Sequence, residues 1–340
     1  MAQMNKQLEK EGKPLLFTGA ELPPLGRIPT GLLALDVATG GGWPTNKWIE
    51  IYGKQSNGKT SIVLHTIGTN QRANPEFSTF WAASEPYNEE WAESFGIDND
   101  RVVVFHSNNM ETVYQMLIDA AKSEQFDCLV LDSYPALAAG EEIDKQMDQQ
   151  SMALGARRTA QFFRKIEGFH SSERPWVGFF INQLRDAIGS FSPYGTPTTT
   201  PGGKAKNYFF YQQVLVSRDD WIEEKVDGSG KIKVGQVNKY LMEKNKAGIP
   251  KTVAMGDFYF TDSDKGFKAG EFDLVKDIIT MAVLFKIIRR AGAWFSYEPL
   301  DGSEAFRWQG RDSMVEEIRS NMELQKEIRT RTLNIATKKD

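Results

Sequence analysis

The chain of 340 residues contains one cysteine, no long apolar run and no excess of either charge. A single Cys128, set in an apolar stretch, excludes an internal disulfide and fits a reducing cytoplasm. No run approaches the roughly 18 apolar residues of a spanning helix. The opening MAQMNKQLEKEG is charged and lacks the apolar centre of a secretory signal, so no membrane role is expected. With 41 basic and 45 acidic residues the net charge is −4, and any nucleic-acid binding has to come from a local patch. What is present is 40% apolar content with eight tryptophans, a globular composition. The length suits one large core and a small appended domain.

Residues 4 to 12 read as a short polar helix, followed by the apolar LLFTG and a proline-rich stretch, ELPPLGRIPTG, which reads as a linker. From about residue 31, short apolar strands (WIEIYG, STFWAAS, RVVVFHS, FDCLVLDS, PWVGFFINQ) alternate with helical segments at 59–73, 88–96, 111–123 and 151–169. That rhythm predicts an α/β fold with a mostly parallel sheet. Residues 184–206 carry many glycines, prolines and threonines and read as a long functional loop. Three further strands follow, antiparallel because a DGSGK turn joins the first two. Residues 264–340 form a mixed unit with a helix at about 271–290, the apolar AGAWFSY and a charged helix at about 313–335.

The stretch GKQSNGKT, 53–60, has the form G-x-x-x-x-G-K-[ST] between a strand and a helix. Gly53, Ser56, Asn57, Gly58 and Ser61 belong to a loop whose backbone N–H groups can turn toward phosphate oxygens. Lys59 suits the β- and γ-phosphates, and the Thr60 hydroxyl suits Mg²⁺. FDCLVLDS ends an apolar strand in Asp132, a second group for the Mg²⁺ shell. A nucleoside triphosphate with Mg²⁺ is therefore expected. Hydrolysis also requires a group that orients water. Glu85 stands nearest the strand end, with Glu89 and Glu90 as alternatives and solvated glutamates as the plain reading. Lys244 and Lys246, in EKNKAG, share one strand face by their spacing. Alone, that pair would be a charged edge strand.

The ordered set IPTGLLALDVATGGG, IYGKQSNGKT, VLDS, FFINQLR, TTTPGG, EKNKAG and AGAWFSY resembles the RecA-type recombinases over residues 28 to 335. The resemblance implies a RecA-type P-loop ATPase core (31–263), a short N-terminal oligomerisation arm (1–30) and a small α/β C-terminal domain (264–340). It implies a DNA-dependent ATPase that forms helical filaments of itself on single-stranded DNA and pairs it with homologous double-stranded DNA in strand exchange. Lys59, Thr60 and Asp132 then take the phosphate and Mg²⁺ roles, and Glu85 activates water. The family's Asp-x-Glu is Ala83-Ser84-Glu85 here, and counting back from Phe95-Gly96 puts Ser84 in the catalytic place unless one residue is deleted; the deletion is preferred, because serine is no base. Trp91 falls where an aromatic stacks on adenine, with core packing as the alternative. Gln183 matches a γ-phosphate sensor, with a structural amide as the alternative. Lys244 and Lys246 would reach the γ-phosphate of the next subunit.

The resemblance also implies two DNA loops. The first, about 145–158, carries Met152 and Arg157, with Arg164 on the helix beyond; the second, 184–207, carries Arg185, Ile188, Thr198, Thr199, Thr200, Gly202, Gly203, Lys204 and Lys206. Cations and backbone N–H groups there would hold phosphates, and Met152 and Ile188 would wedge between bases, without sequence preference. Lys286, Arg289 and Arg290 are read as a basic helix end that captures duplex DNA or simply faces the helix dipole. The short arm fits a phage-encoded relative working in a bacterial host's cytoplasm, and the end TRTLNIATKKD, without the acidic tail of many bacterial members, implies weaker self-inhibition of duplex binding. A ring-forming, helicase-like motor is the rival; it would share Lys59 and Asp132 but lack AGAWFSY and TTTPGG. A non-catalytic filament mediator is the third reading, and the intact GKQSNGKT with Glu85 opposes it.

Overall fold

The computed structural model describes residues 1–11, 16–20, 24–140, 152–169, 171, 173–186, 198–226, 228 and 230–338. Its centre is an eight-stranded sheet of β3 (Lys47–Gly53), β4 (Thr79–Ala83), β5 (Val102–His106), β6 (Cys128–Asp132), β7 (Val177–Gln183), β10 (Gln212–Val226), β11 (Gly230–Asn245) and β12 (Val253–Tyr259). Across the sheet the order is β12-β11-β10-β3-β7-β6-β4-β5. The pairs from β10 to β5 are parallel, and β10–β11 and β11–β12 are antiparallel, as the turn at 227–231 predicts.

Both faces of the sheet are covered, which is why β6 and β7 are apolar along their length instead of alternating. On one face lie α2 (Leu33–Thr39) and α3 (Lys59–Ala73), around Ile49, Ile51, Val130 and Phe179. On the other, α5 (Met110–Ser123) and α6 (Met152–Ile166) pack over Trp48, Leu129, Leu131 and Phe180. A short helix at Lys206–Phe209 joins the same side later, and α4 (Glu89–Ser94) follows β4. No helix among the described residues is long and apolar enough to cross a membrane.

The N-terminal helix α1 (Ala2–Lys10) buries none of its residues, and Leu16 and Phe17 beyond it are exposed. The linker is tied down at β1 (Arg27–Ile28), which pairs with β2 (Trp43–Pro44) of the core. The C-terminal unit differs from expectation in two places. Its first helix, α8, spans Leu274–Leu284 and stops before the basic residues, because the chain turns at Lys286 (φ +59°) and enters β13 (Arg289–Ala291). Arg289 and Arg290 thus stand on an exposed hairpin strand opposite β14 (Trp294–Tyr297), which pairs in turn with β15 (Phe306–Gln309). The expected single charged helix is two, α9 (Arg311–Ser320) and α10 (Met322–Thr337). Between them the Asn321 side chain accepts the Leu324 N–H at 3.0 Å and caps the second.

This unit seats firmly on the core. The seven-residue α2 has no capping side chain of its own; Asp277 of α8 accepts the N–H groups of Leu33 (2.5 Å) and Ala34 (3.0 Å) instead. Arg329 of α10 pairs with the buried Asp36 of α2.

Candidate functional site

The strand register brings four expected residues to one rim. Gly53 pairs with Gln183 across β3–β7, and Ala83 pairs with Asp132 across β4–β6, so the phosphate loop, Gln183, Asp132 and Glu85 all stand at the C-terminal ends of parallel strands. Ligands bind there in open α/β sheets. Gly53 lies so close to the Val216 carbonyl that a side chain would overlap it, and Gly58 has φ +84° with the Asn238 amide beneath it. Ser56 is left-handed too (φ +59°), Asn57 reaches the Val216 oxygen at 3.5 Å, and Ser61 is buried in the first turn of α3.

Lys59 Nζ donates to the Lys54 carbonyl at 2.9 Å. Burial holds its pKa below the usual lysine value, opposed by the charges of Asp132 and Glu85. The Thr60 hydroxyl donates to Asp132 Oδ2 at 3.1 Å. The Asp132 carboxyl is pushed up to about 7, first by burial and then by the charge of Glu85. A buried, repelled carboxylate beside a threonine hydroxyl fits a divalent cation, and the exposed-amide loop beside a partly buried lysine fits a phosphate chain. The residues present therefore suit ATP and Mg²⁺.

Glu85 and Ser84 both donate their backbone N–H groups to the Asp132 carbonyl, at 3.2 and 2.9 Å. Their side chains then separate. Glu85 accepts a hydrogen bond from the Ser133 hydroxyl, whereas Ser84 donates to the Ser133 carbonyl at 2.7 Å. Trp91 is partly buried, its ring edge-on to Phe95 (5.2 Å) and Phe258 (6.3 Å).

Lys244 and Lys246 lie elsewhere. Lys244 pairs with Gln213, which pairs with Glu50; Lys246 N donates to Tyr211, whose N–H donates to Trp48. The backbone of Lys246 is thus level with Trp48, five residues before Gly53, or about 16 Å back along the strand at roughly 3.3 Å per residue. Neither side chain can reach its own phosphate loop. Asn245 turns inward, bonding Gln212 and the Ala38 carbonyl, while Lys246 is exposed. Lys246 and Lys47 stand 5.9 and 5.5 Å from the Tyr211 ring centre, which makes Lys47 a third cation of the cluster.

Arg157 and Arg164 are exposed on α6, which Met152 begins. In the second loop, β8 (Arg185–Asp186) pairs with β9 (Thr198–Thr199), and Arg185, Thr198, Thr199 and Lys204 are exposed. Gly202 and Gly203 are left-handed (φ +102° and +73°), and a side chain at Gly203 would come within 2.9 Å of Ala156 Cβ. The two loops therefore meet, around a cavity of about 410 Å³ lined by Tyr134, Gly155, Arg185, Thr200, Gly203 and Lys204. Ile188 and residues 145–151 lie outside the described residues. Lys206 requires correction. It begins a short helix, α7 (Lys206–Phe209), points inward and pairs with Glu50, both side chains fully buried, so it is not a free cation for DNA phosphate.

Sequence reasoning missed Ser133, Lys47, Asn238 and Glu50. Only Glu50 left a signal: it is the one acid inside the apolar run WIEIY.

A phosphate loop on the first strand of a parallel sheet, a carboxylate at an adjacent strand end and a glutamate beside it define a P-loop nucleoside triphosphatase. Models of the RecA N-terminal domain and the RecA C-terminal domain match residues 1–264 and 276–335. The chain is similar to Protein RecA of Paenarthrobacter aurescens, 33% identical over 96% of this chain and 88% of the relative. It is also similar to the proteins of that name from Pseudarthrobacter chlorophenolicus (34%, 96% and 87%) and Lactococcus lactis subsp. cremoris (32%, 79% and 67%). The chain belongs to the RecA family. It is a DNA-dependent ATPase using ATP and Mg²⁺, and it forms helical filaments that bind single-stranded and homologous double-stranded DNA and exchange strands.

Proposed function

We propose that the rim residues divide the hydrolysis of ATP between two neighbouring subunits. Lys59 and the loop amides hold the phosphates of one subunit's ATP. Thr60 and Asp132 hold Mg²⁺, which when bound neutralises charge on the phosphate oxygens. Glu85, held by the Ser133 hydroxyl, accepts a proton from the attacking water. Gln183, in register with the first loop glycine, senses the γ-phosphate, and the open part of the Trp91 ring stacks on adenine.

Lys244 and Lys246 act on the ATP of the adjacent subunit in the filament, as an arginine finger does. The observation that carries this reading is their place on the opposite rim from Lys59, beyond reach of their own phosphates. A fork that serves a neighbour makes turnover conditional on assembly. The exposed Leu16 and Phe17 support docking of residues 1–30 on a neighbouring core, and Val103 and Val104 on edge strand β5 offer an apolar strand edge. The exposed cations of the two loops hold single-stranded DNA, and Lys286, Arg289 and Arg290 help capture duplex. The work belongs in the cytoplasm, where ATP and DNA are together.

The test is strand exchange between a circular single strand and a homologous linear duplex, with electron microscopy of the protein on DNA. Wild type gives joint molecules and open helices, and Lys59→Ala gives no products. Closed rings and no joint molecules from wild type would overturn the reading.

A further inference from the structure

Glu50 and Lys206 are each fully buried, a costly arrangement unless every polar atom is satisfied. Here every one is. Glu50 Oε1 accepts from Lys206 Nζ (2.5 Å) and Asn182 Nδ2 (2.9 Å), and Oε2 accepts from Gln213 Nε2 (2.6 Å). The ammonium spends its other hydrogens on Thr200 Oγ1 (2.9 Å) and Asn207 Oδ1 (3.2 Å). Its stem runs beneath Gly202, where a Cβ would lie 2.9 Å from Lys206 Cδ.

The partners belong to separate functional parts. Glu50 is three residues before the phosphate-loop glycine Gly53. Asn182 adjoins Gln183 and also donates to the Pro201 carbonyl at 3.1 Å. Thr200 and Lys206 are the outgoing end of the second loop. The Asn207 carbonyl accepts from Lys244 Nζ at 2.5 Å. One buried carboxylate thus joins the phosphate-loop strand, the Gln183 strand and the loop exit, and the next residue of that exit holds Lys244.

We propose that Glu50 and Lys206 are positioning residues: a charged latch that fixes the outgoing end of the second loop against the phosphate-loop strand and transmits between DNA and ATP. The pair does no chemistry and touches neither ligand. An apolar replacement would fill the same volume and tie none of the partners, so the energetic coupling, not the fold, is what the charges supply. The inference rests on the reading of 184–207 as a DNA loop.

The test uses the full chain and measures affinity for a fluorescent single strand with and without a non-hydrolysable ATP analogue. Coupling is reciprocal, so the ratio of the two affinities reads the latch directly. Wild type must bind DNA more tightly with the analogue; if it does not, the underlying loop reading fails rather than the latch. The variant is the double neutral pair Glu50→Gln with Lys206→Met, which strands no buried charge. Its ratio should fall by about tenfold, with DNA-stimulated turnover falling alike, while analogue affinity stays within about threefold. If that variant does not fold, Gln213→Met removes one partner of Glu50 and should lower the ratio in the same direction. A wild-type ratio in the folded double variant, or in Gln213→Met where that variant decides, would overturn the proposal.

Discussion

The Ser133 hydroxyl donates to Glu85 and the Ser133 carbonyl accepts from Ser84, so one residue sorts the two side chains that compete for the catalytic place. Glu85 turns toward Asp132 and Lys59; Ser84 is consumed by a structural bond. Glu85→Gln should lower DNA-stimulated kcat by about 10²–10⁴-fold with ATP affinity retained. Ser84→Ala should change kcat by no more than a few fold. Steady-state ATPase with a nucleotide-binding titration decides it, and the reverse ranking would give the catalytic place to Ser84.

The separation of Lys244 from its own phosphate loop leads to a mixing experiment. Lys244→Ala with Lys246→Ala should bind ATP as a monomer and lose DNA-stimulated turnover by about 10³-fold or more. Lys59→Ala should be inactive for the opposite reason. Mixed on single-stranded DNA, the two inactive proteins should recover part of the rate, because some interfaces join an intact fork to an intact loop. No recovery in filaments shown to contain both proteins would argue that the lysines act in their own subunit.

Arg27 holds the backbone on which that fork stands. Its guanidinium donates to the carbonyls of Thr39 (3.2 Å), Gly42 (3.1 Å) and Ala247 (3.0 Å), pinning the turn after Asn245 to the end of α2. Gly40 has no room for a side chain beside the Ala247 carbonyl, so this seat is close-fitting. Arg27→Ala should lower DNA-stimulated kcat by about tenfold with KM for ATP little changed, since a misplaced group costs on that order or more. Equal changes in KM and kcat would instead indicate a general loss of structure.

His65 is buried, and burial lowers its pKa from 6.5 to about 4. The unfolded chain takes up this proton near 6.5 and the native protein only near 4, so stability falls as pH drops through that window. The full span is worth about 3 kcal/mol. Asp277, raised to about 7, works in the opposite direction, because the native state protonates it first. The two are separated by comparison with His65→Phe, which keeps Asp277. Denaturant unfolding at pH 7 and pH 4.5 should show wild type losing more stability than His65→Phe over the same interval. Parallel losses would mean that His65 is protonated in the folded state.

The phosphate loop and the helix 59–73 were legible because the chemistry is local: two glycines, a lysine and a threonine at fixed spacing, after a strand and opening a helix. The α/β alternation was legible for the same reason, since each strand and helix announces itself within a dozen residues. The C-terminal unit was read less well. Lys286 turns the chain by a left-handed residue, and Asn321 both ends one helix and caps the next; both are single-residue events that a charged, helix-favouring run conceals.

Lys206 shows where reading along the chain fails. A lysine after Gly-Gly-Lys in a polar loop has the composition of a phosphate contact, and nothing nearby marks it as buried. Its partner Glu50 is 156 positions away. By itself the sequence determined the phosphate-loop motif and the parallel sheet, because a fixed glycine-lysine-threonine spacing and strand formation depend on neighbours in the chain. Only the tertiary structure decided which charges face a ligand and which face one another. That choice depends on strand order and register, which brought Glu50 beneath Lys206 and carried Lys244 and Lys246 to the rim opposite Lys59.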